Sequence, residues 1–115
     1  MTIKRYDVGT RLSKMVTHNG IAYLAGLTAD DTSADVKGQT AQILAKIDHY
    51  LAQAGTSKSN LLTAQIWLPD ISTFNEMNAA WEAWIDPKNP PARATVESRL
   101  AGAQYTVEIM VTAAI

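Results

Sequence analysis

The sequence predicts one α+β domain, a mixed sheet with two helices on a single face. Three observations lead there. The chain has 115 residues, 47% of them apolar, which suits one packed core spanning residues 1–115. Two segments repeat apolar side chains every three or four positions, and several shorter runs read as strands. Two helices cannot cover both faces of a five- or six-stranded sheet, so the second face, itself apolar, is left for another copy of the chain.

The runs Met15–His18 and Ile21–Ala25 flank Asn19-Gly20, the dipeptide that most favours a tight hairpin because both residues tolerate positive φ. A further strand over Ile3–Tyr6 would precede them. Gly26 opens a polar stretch, Thr28 to Ser33, that reads as a loop. Val36, Thr40, Ile43, Ile47, Tyr50 and Ala54 then form a helical stripe, widened by Leu44 and Leu51. Ser33 or an adjacent Asp is placed to cap its start, and Gly55 to end it.

Leu61–Leu68 sets Leu62, Ala64, Ile66 and Leu68 against Thr63, Gln65 and Trp67, a period of two that Pro69-Asp70 stops. Ser72 or Thr73 opens a second helix with Phe74, Met77, Asn78, Trp81 and Trp84/Ile85 on one face. Residues 86–91 (DPKNPP) break the chain. Two last strands follow, Ala92–Arg99 and Tyr105–Ala113, joined at Leu100–Ala103, giving the order β-β-α-β-α-β-β with one optional strand in front.

Composition excludes several functions. Ten Lys and Arg against eleven Asp and Glu leave a net charge of -1 with no basic run, the reverse of a nucleic-acid binder. With no cysteine there is no disulfide, thiolate metal site or cysteine nucleophile, which fits a cytoplasmic protein. His18 and His49 lie far apart without carboxylates at ligand spacing, so no metal site is expected. No window approaches the roughly 20 apolar residues of a membrane helix, and the N-terminal stretch lacks the apolar segment of a secretory signal.

The last two strands carry the candidate chemistry. One face of the first bears Arg93, Thr95, Glu97 and Arg99; one face of the second bears Thr106, Glu108, Met110 and Thr112. A four-residue loop would pair Arg99 with Gln104, set Thr95 opposite Glu108, and make Arg93 and Glu108 diagonal neighbours about 7–8 Å apart. A one-residue bulge would move one set to the other face. Arg grips a carboxylate with a fixed fork of donors, and Glu serves as a general base. The space between them suits a small carboxylic acid and a water, with Thr95 to orient either. An Arg and a Glu on adjacent strands also form ordinary structural ion pairs, and spacing alone does not separate the two readings.

The segment Asn89-Pro90-Pro91-Ala92-Arg93-Ala94-Thr95-Val96-Glu97 resembles the proline-alanine-arginine signature of the Rid (reactive intermediate deaminase, YjgF-like) family. Tyr105-Thr106-Val107-Glu108-Ile109 resembles that family's last strand with its acidic residue. Tyr23-Leu24-Ala25-Gly26 and the stretch from Phe74 to Trp81 match as well, so the likeness spans nearly the whole chain. The short hairpin and Thr95 place it nearest the branches outside the RidA-type core group.

The resemblance implies a chorismate-mutase-like fold and a homotrimer with a barrel-like centre and pockets between subunits. It implies hydrolysis of enamines and imines such as 2-aminoacrylate to keto acids and ammonia, without metal or organic cofactor. Arg93 would hold the substrate carboxylate, Glu108 would activate or position water, Gly26 would line the pocket with its backbone, and Asn78 would lie near it. RidA-type members often carry Cys where this chain has Thr95, and a pocket tyrosine where it has Leu12 or Ser13. A non-catalytic trimer sensing a small carboxylate is the alternative function. RNA cleavage, ascribed to relatives, is disfavoured by the near-neutral charge and the lack of a histidine pair.

Overall fold

Asn19 and Gly20 both adopt left-handed φ, 49° and 77°, and turn the chain between β2 (Ser13–His18) and β3 (Ile21–Leu24). This computed structural model describes residues 2–115. The strand expected at the front is present as β1 (Lys4–Val8), paired antiparallel with β2. Helix α1 (Val36–Gln53) buries Val36, Thr40, Ile43, Leu44, Ile47, Tyr50 and Leu51, as its stripe predicts. Its cap is Asp35, whose side chain accepts from the Gly38 N–H at 2.8 Å, rather than Ser33. Gly55 follows its end at φ 79°.

Strand β4 (Leu61–Leu68) leads through a short 3₁₀ turn into α2 (Phe74–Trp84), then β5 (Ala92–Glu97) and β6 (Glu108–Ala114). The sheet runs β1-β2-β3-β6-β4-β5. Both helices pack on one face, over a core of Met15, Leu24, Ile43, Ile47, Leu51, Ile66, Leu68, Met77, Ile109 and Val111. The opposite face is open. Tyr23, Val96 and Met110 stand 44%, 44% and 41% exposed on it, beside Ala92 and Ala94. The two-helices-on-one-face expectation holds.

One expectation fails. The last two strands do not form a hairpin, because β4 lies between them. β5 runs parallel to β4, with Arg93 beside Ala64 and Thr95 beside Ile66, and β6 runs antiparallel to β4 on its other side. The cause is topological. β4, α2 and β5 make a strand–helix–strand unit, and a helical crossover returns the chain parallel to the strand it left. The connection from β5 to β6 must then cross the end of β4, so it occupies residues 98–107 instead of four residues. Glu97 accepts from the Ile71 N–H at 3.0 Å, and Arg99 lies beyond the end of β5.

Candidate functional site

Thr95 therefore does not oppose Glu108, and Arg93 and Glu108 are not diagonal neighbours. In register Arg93 aligns with Ala64 and, across β4, with Val111; Glu108 aligns with Trp67 and Val96. Three residues along and two strands across put their Cα atoms about 14 Å apart, at about 3.3 Å per residue and about 4.8 Å per strand. They also lie on opposite faces. Arg93 is on the helix side with buried Ala64 and Val111, and Glu108 is on the open side with Trp67 and Met110. Within one chain the predicted site is two half-sites.

The first half-site is built by β5 and α2. Phe74, Asn78 and Trp81 share one helix face by their spacing of four and three. The Arg93 guanidinium carbon sits 5.2 Å from the centre of the Trp81 ring and 5.8 Å from that of Phe74, on an aromatic shelf. Burial pushes its pKa down, opposed by the charge of Glu82, yet an arginine stays charged at neutral pH. No carboxylate pairs with it: the ion pair formed among the described residues is Lys46 with Asp30. The Thr95 hydroxyl, two residues along on the same face, is buried and has no hydrogen-bond partner. Asn78, half-buried, lies on the α2 face that carries Phe74 and Trp81. Upstream, Asp86 accepts from the Lys88 N–H (3.0 Å), Asn89 Nδ2 (2.9 Å) and Ser59 Oγ (2.8 Å). These bonds lower its pKa, and they fix the proline-rich loop that delivers Arg93.

The second half-site is built by β6 and the segment after β3. Leu27 bridges to Ile109 through both backbone bonds, 2.8 and 3.1 Å, which lays Gly26 against Glu108. A methyl group built on Gly26 would overlap the Glu108 carboxylate, so only glycine leaves that side chain its place. Lys46 Nζ donates to the Thr28 carbonyl and to Asp30, each at 2.7 Å, and holds the segment just beyond Gly26. Trp67 flanks Glu108 on the other side.

Gln39, fully buried on α1, escaped the sequence reading. Its amide donates to the carbonyls of Thr32, Ala34 and Gln104 and accepts from the Thr106 N–H, tying the β5–β6 connection to the helix and so setting where Glu108 emerges. A polar residue inside an apolar stripe was the available signal. His18 bonds the Thr2 carbonyl and His49 stacks edge-on to Tyr50, each a local contact. Among the described residues no His, Asp or Glu group of three is arranged to hold a metal. No helix is long and apolar enough to cross a membrane.

The family model described as endoribonuclease L-PSP matches residues 2–115. A RutC family protein of Haemophilus ducreyi is 47% identical over 113 residues, 98% of this chain and 97% of that one. The RutC family protein YoaB of Escherichia coli K12 is 42% identical over the full length of both. The chain belongs to the Rid (YjgF/RutC) family. The crystal structure of NMB1025, a YjgF family member from Neisseria meningitidis, superposes with a TM-score of 0.96 at 39% identity, covering 99% of this chain and 95% of that one. The chorismate-mutase-like sheet implied by the signature is the fold this Rid protein has. Its Thr95 is compatible with a branch outside the RidA-type group, and Leu12, exposed at the β1–β2 turn, offers no phenol to a pocket.

Proposed function

We propose that this Rid protein hydrolyses carboxylate-bearing enamines and imines of the 2-aminoacrylate type to keto acids and ammonia, in pockets that adjacent copies of a homotrimer build together. The observation that carries the reading is the separation of two complementary half-sites, each with one charged group that forms no ion pair among the described residues. The Arg93 half lies on β5, an edge strand, and the Glu108 half on the open face. Unlike patches that meet head to tail close into a ring, and a ring of three would cover most of the open apolar faces around a barrel-like centre while leaving a pocket beside each Glu108.

In such a pocket the free fork of Arg93 takes the substrate carboxylate, with Thr95 and Asn78 beside it to accept or donate hydrogen bonds. An enamine first tautomerises to the imine. Glu108 of the neighbouring copy then accepts a proton from water as the oxygen bonds to the imine carbon. Glu108 returns that proton to nitrogen to complete the carbinolamine. In a second transfer it carries the hydroxyl proton to nitrogen as the C–N bond breaks and the C=O bond forms, so that ammonia leaves with the keto acid behind. The slot beside Gly26 keeps the carboxylate in place for both transfers. Imines hydrolyse readily unaided, so acid–base help of about 10²–10⁴-fold with orientation suffices.

The test is a coupled assay in which an amino-acid oxidase or lyase generates a panel of imines and ammonia release is followed. The protein should accelerate release from carboxylate-bearing imines above the spontaneous rate. No acceleration on any of them contradicts the reading. A Glu108→Gln variant separates it from a carboxylate sensor: an enzyme keeps keto-acid binding and loses turnover, whereas in a sensor wild type and variant behave alike. RNA cleavage draws no support from the net charge of -1.

A further inference from the structure

We propose that Trp67 is the specificity-determining residue of this site, and that its indole selects keto-acid precursors with large apolar side chains over small or polar ones. The inference rests on the two-copy pocket proposed above and names the substrate class that pocket takes.

The register puts Trp67 directly opposite Glu108 on the antiparallel β4–β6 pair, on the same open face. Side chains so placed have Cβ atoms about 4.5–5.5 Å apart, so Trp67 is the direct cross-strand neighbour of Glu108 on β4. Gly26 closes the far side of Glu108 with main chain. The flank of Glu108 that Gly26 does not occupy is the one where Trp67 stands. Trp67 is half-buried, which leaves part of its ring system open to a ligand.

The reacting carbon carries three substituents. Its carboxylate goes to Arg93 and its nitrogen must stay within proton-transfer reach of Glu108. The third, the side chain, has to lie across the surface surrounding Glu108. That surface is Trp67, then Val96 beyond it on β5, with Met110 two residues along β6. Val96 and Met110 are exposed at 44% and 41%, and the polar group on the neighbouring rung is the uncharged amide of Gln65. Apart from Glu108 itself, no charged group there compensates a charged side chain for lost water. An aromatic or branched aliphatic side chain gains contact with the indole face.

The readout is binding of a graded set of keto acids (pyruvate, 4-methyl-2-oxopentanoate and phenylpyruvate) to the assembled wild-type protein and to Trp67→Ala and Trp67→Phe, with ammonia release from the matching imines measured in parallel. Wild type should bind phenylpyruvate at least about tenfold more tightly than pyruvate, Trp67→Ala should erase about tenfold of that ratio, and Trp67→Phe should retain most of it. A wild type that binds all three alike overturns the assignment, as does a ratio unchanged in Trp67→Ala. Because the ratio is read from binding, an absence of ammonia release would contradict the catalytic reading while leaving the Trp67 result to stand or fall by itself. Trp67→Phe guards against a variant that alters the sheet, since it keeps an aromatic ring in the strand.

Discussion

The Arg93 and Glu108 regions solve opposite problems of burying a charge. Arg93 is a cation laid over two aromatic rings, partly desolvated, with a buried unpartnered hydroxyl beside it at Thr95. Glu108 is an anion held by absence of bulk, since the missing side chain of Gly26 makes its space. One region offers a shelf and a fork; the other leaves a slot for a carboxylate. Neither forms an ion pair among the described residues, and about 14 Å of sheet, with a change of face, keeps them from neutralising each other. A single-chain Arg–Glu ion pair would have been inert. Separation keeps both charges available to a ligand.

Variants can break the comparison from either side. The largest effect is expected for Glu108→Gln, with kcat for ammonia release down about 10²–10⁴-fold and keto-acid binding retained. Arg93→Ala should act through the ligand carboxylate, lowering kcat/KM about ten- to a hundredfold for carboxylate-bearing imines and little for neutral ones, as follows from about 1.5–3 kcal/mol for a charge-assisted contact. Gly26→Ala should lower kcat about tenfold by displacing Glu108, while melting temperature and assembly stay near wild type. If it is silent, the slot does not position the base.

Tyr50 gives the smallest effect and serves as a control outside both regions. Burial first, then its 2.7 Å bond to Asp7, pushes its phenol up to about 12. The folded state therefore holds this proton more tightly than the unfolded chain. The stability it confers is complete below the unfolded value of about 10 and is lost as pH rises toward about 12. Thermal melts across that range should show a steeper fall for wild type than for Tyr50→Phe, with ammonia release at neutral pH the same in both.

Local order was legible in the sequence. The hairpin at Asn19-Gly20, the α1 stripe and the core-facing Ala64, Ile66 and Leu68 of β4 appear where periodicity puts them. Leu62, however, is exposed because the register shifts between Leu61 and Thr63. The last two strands are shorter than expected, ending at Glu97 and starting at Glu108. Which residues share a face within a strand was also legible, since Arg93 and Thr95 do face together, as do Glu108 and Met110. Strand neighbours were not. Adjacency in sequence suggested that β5 and β6 pair, whereas the α2 crossover makes β5 parallel to β4 and sends it to the sheet edge. The strand–helix–strand order held that information, and the Gly- and Ala-containing stretch 98–107 looked like a four-residue turn with strand on both sides. Contacts made by shape, such as Gly26 against Glu108, depend on this long-range pairing and have no periodic signature.

The most direct test of the split site is complementation between two impaired variants. Arg93→Ala and Glu108→Gln chains, each assayed alone for its residual activity, are co-assembled in equal amounts and assayed for ammonia release at substrate below KM. If Arg93 and Glu108 act from different copies around a ring of three, each mixed ring contains one pocket with both native groups, and random assembly should restore about a quarter of wild-type activity. Activity no greater than the sum of the two separate variants would contradict it.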